Sequence, residues 1–594
     1  MTRRDYGILV AYCWMLFGIA LVSGRPLTMH ESVLPQCTRE MYESGNWLVP
    51  TSGDRPWLHR PPLPHWVLLS LASVAGRCDA EWVVRLGPTL TSTLTVLLLA
   101  WMAQRWFGRG VGLLSGFILA TSFQFTRYAW LAEEDSILCA VITAVMALFV
   151  KMEFATAPES DSELSGTVPP EGGTILHAFV GWRSWTLLAF FALYGLTNMA
   201  KGLVFGPLMA GVPLGMYILW NRRWAWLGRL CWLWGWIALA LAGGLWPLLM
   251  YLWHPDVVEM WLFDYAGRLN QGYVGEPWWY YLATLPWALL PWTPFALIGA
   301  WQTTRRLWGA EASRERFLWC WALGTVLFFS IPDGKHHHYI IHCLPPWGIL
   351  GAVGLIRCRH WIQNWQSKLN HPLVPVLCYG LPVAVGLWLF RSKIPGPAWV
   401  LPALMLGVPL AVLLITWLLR ERQAIRAGLA AFAALLVIYW GVHLYAAKVG
   451  DQGITDHAFL QQVSHHRDGA TPLYVNAQLQ CCLEVNRVLF YMAKGTKVVH
   501  NLSFLLDERI VDRKIQLITR ACDEPALHKL GDVRLLLQSE KSRRELSPGD
   551  RLTLYELTFR PDLSRYPNDV TIHQQQIKMR VAGPFLGGKD PQAW

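Results

Sequence analysis

"NWLVPTSGDRPWLHRPPLPHW", Asn46–Trp66, follows the first hydrophobic run and is dense in Pro, Trp and charge. So polar a stretch beside so apolar a segment must lie outside the lipid. Each Pro fixes φ and holds the residue before it extended, so "RPPL" is a rigid turn that fixes His59 and Arg60 in place. The rest of the chain agrees with a membrane setting. Of 594 residues, 54% are hydrophobic and only 15% charged, too apolar for an ordinary soluble protein. The 35 Trp suit membrane–water interfaces, where the ring is buried and its N–H stays wet. The net charge of +11 comes from Arg clusters between apolar runs, and no nucleic-acid motif accompanies it. The 12 Cys lack CxxC or zinc-type spacing, which removes a zinc ribbon from consideration.

A spanning helix needs about 20 apolar residues. Segments centred on 6–24, 86–104, 184–200, 202–220, 230–253, 278–301, 339–356, 374–390, 398–419 and 427–447 qualify, with shorter ones at 111–126, 136–150 and 317–331. The sequence therefore predicts an all-α polytopic domain of about thirteen spans over 1–447. The first run, Tyr6–Gly24, is long and lacks a small-x-small cleavage site, so it reads as an uncleaved helix. Basic clusters fall on alternate loops: Arg3 and Arg4, Arg105 and Arg109, Lys151 and Arg183, Arg222, Arg223 and Arg229, Arg305 and Arg306, Arg357 and Arg359, Arg420 and Arg422. The positive-inside rule places all of them in the cytoplasm, and with them the N-terminus. The opening stretch, in the loop 25–85, then faces outward, as does the tail.

The tail, 448–594, differs in kind. "TPLYVNAQ" and "VRLLLQ" read as strands, and "DRLTLYELTF" alternates apolar and polar at period two. "LEVNRVLFYMAKG" reads as a helix ending at Gly495. The sequence predicts a small extracytoplasmic α/β domain. The segment 153–183, rich in Ser, Gly, Pro and acid, reads as a flexible loop. No internal repeat is visible.

Under this topology the outer loops hold His30, Glu31, Arg39, Glu40, His59 and Arg60, then Arg127 and Glu133–Asp135, then Lys201, then Asp264 and Arg268. "DGKHHHYIIHCLPPW" adds Lys335, His336–His338, Tyr339 and His342. Ionisable groups at a membrane boundary are costly when buried, so a set from separate loops on one face marks a candidate site. Cations suit a phosphate, acids and His supply a general base, and aromatic rings stack on a sugar or hold a lipid tail. Plainer roles stand beside these. A single Arg or Lys also snorkels, Asp135 also caps the helix after it, and the His run admits a metal, with His338 and His342 one helical turn apart as the better pair.

The motifs together resemble the GT-C membrane glycosyltransferases: the bacterial aminoarabinose transferases of lipid A and the protein O-mannosyltransferase-like enzymes. The matching pieces are Arg39-Glu40-Met41, Gly45-Asn46-Trp47 through Pro50, Pro61-Pro62-Leu63 with Trp66, Arg127 and Asp135, Lys201-Gly202, "DYAGRL" with "PWWYYL", and Lys335, Tyr339 and Pro345. Their order holds over the first 350 residues or so. Departures are specific. His30 stands where the family has an acid, with Glu31 after it, and Val33 and Leu34 replace the usual Arg and Tyr. Arg60 replaces a Lys, His342 a common Pro, and His59 stands where an acid linked to metal binding in some members is found.

The resemblance implies transfer of a sugar from a polyprenyl-phosphate donor to a glycolipid, polysaccharide or protein acceptor, outside the cytoplasmic membrane, with inversion. Arg60, Lys201, Arg268, Lys335 and Tyr339 are the expected holders of the donor phosphate. Glu31 is the first candidate base, with His30 as partner or base and Asp135 third. His59 is the candidate position for a divalent metal ion, the one cofactor the resemblance admits. A lipid-linked sugar transporter or an inactive envelope scaffold are the competing classes. Transporters tend to show repeated halves and mid-membrane charge, neither of which this sequence has.

Overall fold

A backbone inside hydrocarbon must satisfy its own N–H and C=O groups, which helices do internally. In the computed structural model of the protein, six described helices are long and apolar enough to cross a membrane: Arg3–Val22, Glu81–Phe107, Glu134–Glu153, Leu233–Trp253, His337–Cys358 and Arg426–Leu444. The structure describes residues 1–53, 55–154, 180–262, 276–309, 311–366, 423–446, 452–467, 471–476, 482–499, 514–540 and 548–560, with isolated positions between 385 and 417. The expected spans 374–390 and 398–419, the loop 153–183 and the tail beyond 560 lie wholly or largely outside these residues. Every other expected span coincides with a helix.

Two of them depart from a single rod, and the first, expected at 111–126, falls on Arg109–Ala120 and Phe123–Ala129. The segment expected at 278–301 is two helices, Tyr280–Ala288 and Thr293–Thr304, bent by 115°. Pro286 and Pro291 each remove a backbone donor, and Pro291 restricts the residue before it, so the helix cannot run through.

The chain divides into two compact units. The first comprises Met1–Val22, His59–Leu63 and Pro88–Ala446, and the second Ser23–Leu58, Pro64–Gly87 and Ala447–Trp594. One break between the units falls at Ala446/Ala447. Most of the loop 25–85, however, groups with the tail.

In the first unit, a capping box opens the first helix. Thr2 N donates to Asp5 Oδ2 at 2.7 Å, and Asp5 N to Thr2 Oγ1 at 3.4 Å. Asp5 also takes a two-pronged bond from Arg109 at 2.7 and 2.8 Å, which ties the start of the first helix to the start of Arg109–Ala120. Helices Trp185–Lys201 and Leu233–Trp253 touch backbone to backbone. A Cβ on Gly195 would lie 2.6 Å from Leu239 O, and one on Gly243 would collide with Gly195 O. Small residues at such crossings let membrane helices gain contact where lipid supplies no hydrophobic drive.

In the second unit, a five-stranded sheet runs in the order Lys497–Val499, Leu473–Asn476, Lys514–Arg520, Leu552–Phe559, Gly531–Gln538. The first three strands are parallel to one another and the last two pair antiparallel. Leu552 and Leu554 pack on one face with Phe459, Val463 and Val488 of the helices Gln452–His466 and Cys482–Tyr491. Tyr555, Leu557 and Phe559 pack on the other with Leu527 and Leu530. Sequence alternation found Leu552–Phe559 but not Lys514–Arg520, whose residues after the first are all buried. A strand covered on both faces loses the period of two. The helix expected to end at Gly495 stops at Tyr491, and Gly495 makes a left-handed turn (φ 86°) before the next strand.

Candidate functional site

The helix Glu134–Glu153 starts with two acids in its first turn, where the helix dipole favours negative charge. Its N-cap residue is Glu133, which makes no side-chain cap bond, and Asp135 does not cap either. Asp135 pairs instead with Lys201 Nζ. Both are almost wholly buried, Asp135 at 1% and Lys201 at 4% exposure. Glu134 turns outward and sends Oε1 toward two cations: Arg60 Nε at 3.4 Å and Lys201 Nζ at 3.9 Å. The Lys201 ammonium also lies 5.6 Å from the centroid of the Tyr339 ring, within reach of a cation–π attraction. Arg60, Asp135, Lys201 and Tyr339, chosen from four separate stretches of sequence, thus share one cluster. Glu134, among the acids noted in the sequence but not chosen as a site residue, is the group that links them.

Local structure explains why Lys201 ends up there. It is the last residue of Trp185–Lys201, and Gly202 follows with φ 122°, a conformation that a side chain would resist. Two residues on, Val204 adopts φ 70°, strained for a β-branched residue, and its N–H donates to Asn198 Oδ1 at 2.8 Å. Backbone strain of this kind gathers at functional sites.

Lys335 enters none of these ion pairs. Its ammonium donates to Glu276 O at 2.9 Å. Partial burial holds its pKa below the usual lysine value, with Asp333 and Glu276 opposing the shift. Next to it, Tyr128 Oη and His337 Nε2 are hydrogen-bonded at 3.1 Å, and the His336 and His338 rings pack on Tyr339 at 5.2 and 4.9 Å. Residues His337–Cys343 form a 3-10 helix rather than an α-helix. Three residues per turn remove the alignment of His338 with His342 that an α-helical turn would give. His342 Nε2 lies 2.9 Å from Thr325 Oγ1 and its ring is fully buried. Among the described residues, no group of three or more His, Cys, Asp or Glu is placed to hold a metal ion. His59 is exposed, and no ligand set for a cation surrounds it among those residues. Arg268 and Asp264 lie outside the described residues.

Glu31 has a different environment, inside the second unit. Arg85 grips both its oxygens, Nε to Oε1 at 2.7 Å and Nη2 to Oε2 at 3.1 Å, and both side chains are fully buried. Arg25 Nη2 and the Thr28 N–H each reach Oε2 at 3.2 Å. Arg85 further donates to Arg25 O and Pro26 O, at 2.7 and 3.3 Å. The carboxylate is the knot of the segment 25–31. His30, its neighbour, is exposed. The motif residue Arg39 is also structural in its contacts: Nη1 donates to the carbonyls of Leu489, Phe490 and Met492 at 3.3, 2.7 and 2.9 Å. These lie at the C-terminal end of Cys482–Tyr491, where orphan carbonyls and the dipole welcome a cation. His65, from the opening stretch, is buried edge-on to Trp57 at 6.0 Å, and burial pushes its pKa down to about 3, so it packs as a neutral ring.

The chain has a polytopic helical unit carrying a cation–carboxylate cluster at helix ends and a second unit with a small mixed sheet, a fold of the GT-C type. Over 92% of its length it superposes, with a TM-score of 0.70 and 19% identity, on 97% of ArnT from Cupriavidus metallidurans, crystallised with undecaprenyl phosphate. Residues 59–159, which carry Arg60, Glu134 and Asp135, match the family described as dolichyl-phosphate-mannose-protein mannosyltransferase. Among curated proteins, the chain resembles the undecaprenyl phosphate-alpha-4-amino-4-deoxy-L-arabinose arabinosyl transferase of Erwinia tasmaniensis, 28% identical over 363 residues, 59% of this chain and 60% of the relative. The protein of that name from Pseudomonas aeruginosa is 26% identical over 380 residues, 60% of this chain and 61% of the relative. The chain thus matches these curated relatives over about three-fifths of their length.

Proposed function

We propose that the protein is a glycosyltransferase of the cytoplasmic membrane, moving a sugar from a polyprenyl-phosphate carrier to a glycolipid, polysaccharide or protein of the cell envelope on the extracytoplasmic side. The observation that carries this reading is the cluster of Arg60 and Lys201 around the paired acids Glu134 and Asp135. Relatives whose names specify an undecaprenyl-phosphate sugar support it. The alternating basic loops support the orientation.

In this reading Arg60 and Lys201 receive the donor phosphate, and Tyr339 lines the place beside Lys201. Lys335 adds positive charge, and Arg268 stays a candidate from its motif. The acceptor hydroxyl attacks the anomeric carbon, the bond from that carbon to the phosphate oxygen breaks, and its electron pair stays on the phosphate. Fixed cations stabilise that growing charge. The hydroxyl proton goes to a carboxylate. Asp135 is the base we favour, because a phosphate that draws Lys201 toward itself frees Asp135 beside the reacting carbon. Glu31, with both oxygens held by Arg85, is assigned to positioning the segment that carries His30. His30 stays a second candidate for proton acceptance. Among the described residues no ligand set for a metal surrounds His59.

The test uses purified full-length protein in proteoliposomes with a labelled undecaprenyl-phosphate sugar and an envelope lipid and polysaccharide extract. Label covalently joined to an acceptor, and lost in Asp135→Asn, is the expected result. Label that crosses the bilayer still attached to its carrier would overturn the reading in favour of a transporter.

A further inference from the structure

We infer that Glu134 is a displaceable internal counter-ion that occupies the place of a donor phosphate oxygen when the site is empty. The inference rests on the functional reading above and adds a residue role to it. One oxygen, Oε1, faces both Arg60 Nε at 3.4 Å and Lys201 Nζ at 3.9 Å. Two cations converging on one oxygen is the geometry that a phosphate oxygen would be given.

Charge within the ion-paired quartet favours one acid yielding to the donor. Arg60 and Lys201 carry two positive charges, Glu134 and Asp135 two negative ones. This quartet is neutral before any donor arrives. An incoming phosphodiester adds a negative charge at a half-buried place, where an uncompensated charge is costly. The two acids differ in how firmly they are held. Asp135 has a 2% exposed side chain and pairs closely with Lys201. Glu134 is 20% exposed and its contacts with the cations are long for charge-assisted bonds. Glu134 is therefore the acid that swings away. Its return after transfer puts a carboxylate back between the cations and pushes the polyprenyl phosphate product out. Glu134 is thus a positioning residue acting through Arg60 and Lys201.

The experiment measures binding of undecaprenyl phosphate, the sugar-free product, to full-length protein in nanodiscs. Four forms are compared: wild type, Glu134→Gln, Arg60→Gln and the double variant, each checked for thermal melting. Glu134→Gln is expected to bind roughly tenfold more tightly than wild type, a difference of about 1.4 kcal/mol. It should also release product more slowly in multiple turnover while keeping a fast first turnover. In the Arg60→Gln background the gain should shrink markedly, because the coupling between the two residues is what Glu134 acts through. Unchanged or weaker binding by a folded Glu134→Gln protein would overturn the inference. So would an equal gain with and without Arg60, which would indicate diffuse charge removal. If wild type and Glu134→Gln both fail to bind undecaprenyl phosphate, the functional reading fails and the inference with it. If wild type binds and only the predicted gain is absent, the inference alone fails.

Discussion

Glu31 and Glu134 each face two cations, yet their surroundings differ throughout. Arg85 closes on both oxygens of Glu31, Arg25 and a backbone N–H fill in behind, and the carboxylate is wholly enclosed. Glu134 offers one oxygen to Arg60 and Lys201 at longer range and stays one-fifth exposed. The first arrangement has no place for a ligand. In the second, a ligand can take the place of the carboxylate. A buried ion pair is costly to break by removing one partner, because the other charge is stranded. A looser, partly wet pair costs little to open. Whether an acid in such a chain is structural or functional thus follows from how completely its oxygens are used, more than from its neighbourhood in sequence.

The comparison can be broken at several points. Asp135→Asn should lower sugar transfer about 10²- to 10⁴-fold in the folded fraction, as expected for loss of a general base, and should also lower the melting temperature because Lys201 is left buried without its partner. Full transfer by that variant in a coupled assay would move the base elsewhere. Glu31→Gln should instead destabilise the protein by roughly 3–5 kcal/mol, seen as poor yield and a lowered melting temperature. A stable Glu31→Gln protein with transfer abolished would return Glu31 to the chemistry. Arg60→Gln should weaken donor binding about 10- to 100-fold, the worth of a hydrogen bond to a charged group, with little change in melting.

Smaller effects sharpen the contrast. Burial holds the Lys335 ammonium below the usual lysine range, so it loses its proton at a lower pH than a free lysine. Donor binding should decline as pH rises through that lowered value, and Lys335→Arg, which stays charged, should move the decline to higher pH. An unmoved alkaline limb would remove Lys335 from the phosphate site. At the far end of the helix Glu134–Glu153, Glu153 accepts from Tyr217 and Trp226 at 3.0 and 2.7 Å and pairs with the half-exposed Arg223 at 2.8 Å. That helix is about 30 Å long, enough to place its ends at opposite membrane faces. Arg223→Gln should therefore shift stability by only ~0.2–1 kcal/mol and leave donor binding alone, which a titration beside Arg60→Gln would check.

These contrasts also show what the sequence could and could not disclose. Apolar length marks the helices, and Arg60, Asp135 and Lys201 are legible as charges in the loops and turns that border apolar segments, where lipid tolerates them only for a reason. In the sequence Arg39 belongs to a site motif. Its partners, the carbonyls of Leu489, Phe490 and Met492, lie some 450 residues away in the chain, and no local pattern announces such a contact. From sequence Glu31 reads as catalytic, because its engagement by Arg85, 54 positions on, is invisible to spacing. Glu134 was overshadowed by its neighbour. Adjacent residues on a helix point about 100° apart, so one acid of the pair turns inward and the other outward, and only coordinates tell which.

The most direct measurement follows release of polyprenyl phosphate and formation of a new glycosidic bond together, in proteoliposomes, for wild type and a folded Lys201→Met variant. The account predicts equal amounts of both products from wild type and neither from the variant. Undiminished bond formation without Lys201, or a wild type that produces neither, would contradict it.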